Sequence, residues 1–399
     1  MPVNKSQLGV GSLEISPLAK RYINQVLSSK RLSYGPFIQR FERQFSQAHG
    51  AKFGVMVNSG TGALRIAVAC LKEVEKWQDG DEVICPAITF VATANVIVDH
   101  NLKPVFVDVD SQTYNIDPDK IEAKITKHTK AIMAVHLFGQ PAAMDKILKI
   151  ASKYKLKVIE DSAETMYAKY QGKRVGSFGD IACFSTYVAH LIVTGVGGLA
   201  LTSNKKYAEV LRSLANHGRD NIYISIDDDE GKFGRDLQEV ISRRFNFVRP
   251  GYSFRVTELE GALGCAQLKT INKTIATRRK NASYLISCLK DLEKDLQLPI
   301  RAKGAEHSFM IFPIAIKKGS RANKQSLVYA LEKKGIETRD MFPLITQPFY
   351  KKTYKLKENN FPVAKWINSN GFYIGCHQGM RKAELDYIVK TVKDYIAKL

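Results

Sequence analysis

The stretch STYVAHLIVTGVGG, residues 185–198, sets a histidine among apolar neighbours. Ser185, His190, Gly195, Gly197 and Gly198 follow the pattern Ser-x4-His-x4-Gly-x-Gly-Gly. The stretch reads as a strand running into a loop and closing on a glycine-rich turn. Three roles are open to His190: a packed core imidazole, a metal ligand, or a base working near neutral pH, where imidazole titrates. No second His, Cys or carboxylate stands at ligand spacing, which argues against a metal. In VNSGTGALRIAVACL (57–71) a strand ends and a helix begins near Thr61. Such a turn offers backbone N–H groups to a phosphate, and Ser-Gly-Thr-Gly is equally a helix cap. In CPAITFVATANVI (85–97), Phe90 follows a Pro- and Thr-containing loop. It either stacks on a planar ring or fills the core. VIEDSAETMYA (158–168) puts Glu160 and Asp161 at the C-terminal end of a buried strand, the edge where open α/β sheets bind ligands. A carboxylate there can hold a heterocyclic nitrogen protonated, or cap the next helix.

These residues need elements to position them. KPVFVDVD (103–110), TKAIMAVHLFG (129–139), LKVIEDSA (156–163), DIACFSTY (180–187) and GGLALTS (197–203) read as strands. Most are continuous apolar runs, as in strands buried on both faces of a parallel sheet. Helices such as GALRIAVACLKEVEKW and AMDKILKIASKYK lie between them. The expectation is an α/β fold with a mostly parallel sheet. From residue 271 a long helix, isolated strands and a final helix imply a smaller α+β domain, which gives domains at 1–270 and 271–399. The acidic segment ISIDDDEGKFGRDLQEV (224–240) reads as an exposed loop or insertion.

With 399 residues, 45% of them hydrophobic, the chain can build a sizeable core. No apolar run approaches bilayer length, and the first residues lack a signal-peptide pattern. The six cysteines, Cys70, Cys85, Cys183, Cys265, Cys288 and Cys376, are widely spread. They suggest no disulfide framework, zinc site or iron–sulfur ligand set, and a cytoplasmic protein is expected. The net charge of +21 comes from Lys and Arg scattered along helix faces. A solvated surface fits this better than a nucleic-acid partner, and a positive field also suits an anionic small substrate.

The order of phosphate turn, aromatic, strand-end Asp and Ser-x4-His-x4-Gly-x-Gly-Gly resembles the DegT/DnrJ/EryC1/StrS family. These are sugar aminotransferases of the fold-type I pyridoxal 5′-phosphate (PLP) fold. The resemblance begins at LSYGPFIQRFERQFSQAHGAKFGVMVNSGTGAL, continues through PAITFVATANVIVDHNLKPVFVDVD and VIEDSAE, and includes GYSFRVTELEGALGCAQL. It implies that the amides of Gly60, Thr61 and Gly62, with the Ser185 hydroxyl, hold the cofactor phosphate. It implies that Phe90 stacks on the ring and that Asp161 pairs with the ring nitrogen, keeping the cofactor an electron sink. Glu164 occupies the place where the family often has Gln or His near the ring hydroxyl. Ser253 stands where the family usually has an Asn that reaches the neighbouring subunit's phosphate, so a homodimer with shared sites is implied.

His190 falls at the position of the family's Schiff-base lysine. Imidazole forms no stable covalent link to the aldehyde but can still act as a base. The nucleotide-sugar 3-dehydratases of the family share this change. There the cofactor enters as pyridoxamine 5′-phosphate (PMP), the histidine removes the C4′ proton, and the C3 hydroxyl of a 4-keto sugar leaves. The resemblance therefore implies a PLP/PMP-dependent enzyme with non-covalent cofactor. Its substrate would be a nucleotide-linked keto sugar, its amino donor one such as L-glutamate, and its reaction 3-dehydration. A glutamate-dependent aminotransferase and a non-catalytic regulatory homologue are the alternatives. Leu191 and Val196 depart from the dehydratases' second His and the family's Glu. GIETRDMFPLITQPFY (335–350) and FYIGCHQGM (372–380) are expected to shape the sugar pocket. Their Arg339 and His377 would meet a diphosphate or sit at the surface.

Overall fold

Short apolar runs become the strands of a seven-stranded sheet. The structure, a computed structural model, describes residues 8–220 and 229–399. The sheet contains β1 (Phe53–Val57), β2 (Glu82–Pro86), β3 (Lys103–Val107), β4 (Thr129–Val135) and β5 (Lys157–Asp161). A small hairpin, β6 (Lys169–Tyr170) and β7 (Lys173–Arg174), precedes the last two members, β8 (Ile181–Ser185) and β9 (Gly198–Thr202). The strand order is β1-β9-β8-β5-β4-β2-β3. Neighbours from β3 to β8 are parallel, and β9 runs antiparallel to both β1 and β8. The reversal has a local cause. Parallel neighbours need a long crossover, usually a helix, whereas residues 186–197 contain none. The loop carrying His190 is therefore the return connection itself.

Helices cover both sheet faces, as buried parallel strands require. The helix Gly60–Val74 starts directly after β1, capped by Ser59, and Val91–Val98 starts directly after Phe90. A second, antiparallel sheet has the order β10-β12-β14-β13. It is built from β10 (Leu296–Gln297), β12 (Phe312–Ile316), β13 (Thr338–Asp340) and β14 (Gly371–Ile374), while β11 (Ala305–Glu306) pairs with β6. Leu285, Phe312, Phe372 and Ile388 belong to this sheet's own hydrophobic cluster. The N-terminal segment crosses to it, Leu8 bridging Ile336.

In the acidic segment expected as a loop, residues 234–243 form the helix Gly234–Arg243. Leu237, Val240 and Ile241 stand at helical spacing on it, although only Val240 is buried; residues 224–228 lie outside the described residues. No helix among the described residues is long and apolar enough to cross a membrane.

Candidate active site

The C-terminal ends of the strands converge on one cavity of about 480 Å³. Ser59 and Gly60 reach it after β1, Thr89 and Phe90 after β2, Val135 and Leu137 at β4, Asp161 at β5, and Ser185 at β8. Tyr187, Ala189 and His190 close it from the return loop, and Met310, Arg339, Phe342 and Tyr373 from the second sheet's side.

The wall at β1 is tightly fitted. A Cβ on Gly60 would lie 2.6 Å from the Ser185 Cβ, and one on Gly198 would lie 2.3 Å from the Ser59 carbonyl oxygen. Glycine at both positions lets the helix N-terminus close against β8 and β9. The Gly62 N–H donates to Ser59 Oγ at 2.9 Å, and Gly62 does not line the cavity. The cap thus uses one of the three amides expected at a phosphate, leaving Gly60 and Thr61 beside Ser185.

Asp161 is buried. Thr93 Oγ1 donates to its Oδ2 at 2.7 Å, and the Ala163 N–H to its Oδ1 at 3.2 Å. Burial raises its pKa against these hydrogen bonds, so the carboxylate would gain from a cationic partner in the cavity. Its neighbour Glu160 points elsewhere. It accepts from the Gly176, Phe178 and Gly179 amides and pairs with His136 at 3.1 Å. Of the two strand-end acids, Glu160 holds a turn and Asp161 serves the cavity. Phe90 is half exposed and meets Phe342 edge-on, centroids 5.8 Å apart.

Glu164 accepts from the Phe138 N–H at 3.0 Å. Burial, then the charge of Asp161, pushes its pKa to about 7. The folded value lies above the unfolded one near 4.5. Its contribution to stability is therefore complete below pH 4.5 and lost as the pH rises through 7. Glu164→Gln should thus stabilise the protein at pH 8 by up to about 3 kcal/mol, with the gain vanishing near pH 4.5. Urea unfolding at both pH values checks this, and an equal difference at both would contradict it.

His190 is half-buried, its backbone N–H donating to the Tyr187 carbonyl at 2.9 Å. Its Nδ1 is sealed from solvent and has no hydrogen-bond partner among the described residues. Burial, then the charge of Arg278, lowers its pKa to about 4. A neutral imidazole therefore faces the cavity at physiological pH. No lysine lines the cavity among the described residues. Lys169 and Lys173 sit in the β6–β7 hairpin, where Lys169 pairs with Glu306. Leu191 is buried in the core. No group of three or more metal-capable side chains occurs among the described residues.

Arg339 donates to the Glu337 carboxylate and to the Thr338 carbonyl at 3.0 Å. The structure does not bring Ser253 or His377 to the cavity. Ser253 is exposed and accepts from Arg255 at 2.9 Å. His377 is buried, and burial with the Arg278 charge lowers its pKa to about 4. Thr93, behind Asp161, had no signal in the sequence beyond its position in the helix after Phe90.

The residues fit a phosphorylated pyridine. A helix start and Ser185 offer an anion site, a strand-end carboxylate can meet a ring nitrogen, and an aromatic forms a wall. Fold and cavity together define a PLP-dependent enzyme of fold type I. The family model of the DegT/DnrJ/EryC1/StrS aminotransferase family matches residues 14–393, and the chain belongs to that family. The GDP-4-keto-6-deoxy-D-mannose 3-dehydratase of Escherichia coli O55:H7 is 33% identical, with 94% of this chain and 97% of that protein covered. The GDP-perosamine synthase of Caulobacter vibrioides is also 33% identical, with 90% of each covered. A solved structure of the Escherichia coli dehydratase with bound hydrated PLP superposes with a TM-score of 0.86 at 32% identity. It covers 98% of this chain and 100% of that one.

Proposed function

We propose that the protein is a PMP-dependent 3-dehydratase of a nucleotide-linked 4-keto sugar, with His190 as its base. One observation carries this reading: a neutral, unpartnered imidazole faces a cavity that no lysine lines among the described residues. When bound, the cofactor supplies an electron sink beside the sugar carbon. Gly60, Thr61 and Ser185 would hold its phosphate, Phe90 would cover its ring, and Asp161 would keep a proton on its ring nitrogen. His190 would accept the proton from C4′, and an imidazole, having no primary amine, forms no Schiff base with the cofactor's aldehyde. Arg339, at the cavity rim, would meet the carboxylate of an amino donor such as L-glutamate or the substrate's diphosphate.

Tyr187 and Val188, exposed apolar residues on the loop of His190, and exposed Val196 beyond it support a homodimer with shared sites, to which Ser253 of each subunit would contribute. All six cysteines are unpaired, in keeping with a reducing, cytoplasmic setting.

The test is a spectroscopic titration of the PLP-loaded protein with L-glutamate, then with GDP-4-keto-6-deoxymannose. Conversion of the PLP band to that of the amine form, followed by ammonia release and a 3-deoxy sugar, is the expected course. An amino sugar without ammonia release would instead identify an aminotransferase. No spectral change with any amino donor would identify a binding protein without turnover.

A further inference from the structure

Two hydroxyls stand in line behind Asp161. The sequence TFVAT, residues 89–93, places Thr89 and Thr93 four apart across the start of the helix Val91–Val98, with Phe90 between them at the N-cap. Thr93 is completely buried and Thr89 nearly so. Thr93 Oγ1 lies 2.7 Å from Asp161 Oδ2 and 2.7 Å from Thr89 Oγ1. A hydroxyl has one proton to give, and an ionised carboxylate only accepts. The proton of Thr93 therefore goes to Asp161, and the proton between the two hydroxyls belongs to Thr89. Thr93 donates on one side and accepts on the other, which fixes its hydroxyl. The Ala163 N–H donates to the other carboxylate oxygen at 3.2 Å. One donor on each oxygen fixes the plane of the carboxylate. Each oxygen keeps a lone pair for a partner in the cavity, which Asp161 and Thr89 both line.

We propose that Thr93 is a positioning residue for the cofactor's ring nitrogen, acting through Asp161: its hydroxyl holds the carboxylate ionised and correctly turned for a pyridinium N–H. This rests on the reading of Asp161 as the partner of that nitrogen. A buried carboxylate is costly without donors, and burial here favours the neutral acid. Two donors oppose that: the Ala163 amide, which belongs to the backbone, and the Thr93 hydroxyl. The other groups around Asp161 do not replace them. Glu160 beside it and Glu164 in the cavity are carboxyl groups, which disfavour a second negative charge. Cys183, its register partner on β8, is a thiol that burial keeps neutral. His136, after β4, gives its backbone N–H to the Asp161 carbonyl and its ring to Glu160. Across the cavity His190 is neutral, and Arg339 pairs with Glu337. Among the described residues, Thr93 is thus the one side chain that donates to the Asp161 carboxylate. One five-residue segment would then set two ring contacts, Phe90 against the face and, through Thr93, Asp161 at the nitrogen.

The test compares the binding of PLP with that of its 1-deaza analogue, in which a C–H replaces the ring nitrogen, by equilibrium dialysis across pH. Both ligands share the phosphate and the ring face, so the ratio of their affinities isolates the partner of the nitrogen. In the parent, the preference for PLP should fall on the acid side as Asp161 takes up a proton. Thr93→Val keeps the shape and removes the donor. Loss of a hydrogen bond to the anion favours the neutral acid. This acid limb should therefore move up by about one pH unit, a tenfold lower preference at a fixed pH within it. Thr93→Ser keeps the hydroxyl and should leave the limb in place. Thr93→Cys, with a weak donor, should move it as Thr93→Val does, and decides the matter if Thr93→Val does not fold. Asp161→Asn should abolish the limb. An unmoved limb in folded Thr93→Val or Thr93→Cys, with the limb abolished in Asp161→Asn, overturns the proposal alone. An equal shift in Thr93→Ser overturns it too, because packing and not the hydroxyl would then be the cause. No preference for PLP in the parent, or a parent-like limb in Asp161→Asn, overturns the reading of Asp161 and the proposal with it.

Discussion

The His190→Asn protein should lose roughly 10²- to 10⁴-fold in turnover, the span that a positioned general base contributes. It should bind PLP as tightly as its parent. The two halves of this expectation come from different contacts. The imidazole Nδ1 has no hydrogen-bond partner among the described residues, and the backbone N–H of residue 190 is held by Tyr187. Asparagine therefore orphans no partner and leaves the loop in place. The groups proposed to hold the cofactor's phosphate and ring, Gly60, Thr61, Ser185, Phe90 and Asp161, are untouched. Equilibrium dialysis with PLP and product analysis with the keto-sugar substrate read the two halves separately. Turnover within tenfold of the parent would remove His190 from the chemistry. His190→Lys is the complementary change. It should hold PLP through a borohydride-trappable bond at residue 190, because a primary amine now reaches the aldehyde. Absence of that bond by mass spectrometry would mean that residue 190 does not face the cofactor.

Much of this site is readable in the sequence because it is built from strand ends and the turns after them. Asp161 and Ser185 each end a recognisable apolar run, Phe90 follows the short loop after another strand, and parallel strands deliver such positions to one edge. Gly60 and Thr61 follow the same logic. Gly62 fails for a reason set by helix geometry. The cap side chain of Ser59 takes the N–H of Gly62, and the sequence does not say whether an amide near a helix start binds its own cap or a ligand. The direction of β9 was hidden too, since an apolar run looks alike either way, although the lack of a helix in 186–197 could have signalled the return. Met310, Phe342 and Tyr373 reach the cavity from a second sheet whose docking no local pattern encodes. The segments around Phe342 and Tyr373 were expected near the sugar, but His377 turned inward while Tyr373, a few residues earlier on β14, faces the cavity.

Asp161→Asn should lower turnover roughly a hundredfold and weaken PLP binding as well, which separates it from His190→Asn. The change is almost isosteric, and the local hydrogen bonds can survive it. The Ala163 N–H still finds the amide oxygen, and the Thr93 hydroxyl, already 2.7 Å from Thr89 Oγ1, can accept from the new amide. What disappears is the charge. A carboxylate held in a buried site stabilises a proton on the ring nitrogen of the cofactor, and a neutral amide does not. Removing one member of a buried charged pair typically costs about 3 kcal/mol or more, equivalent to roughly a hundredfold in rate if the interaction persists in the transition state. Burial raises the pKa of Asp161 in the protein alone, so part of that energy is spent returning it to the anion when the cationic ring arrives. Binding is therefore weakened by less than the full pair energy, and the larger share of the loss falls on turnover. The half-reaction with L-glutamate, followed by stopped-flow absorbance at saturating PLP, isolates that share. Parent-like rates under saturation would show that Asp161 only recruits the cofactor. A rate that stays about a hundredfold down would show that its charge is needed while protons and electrons move.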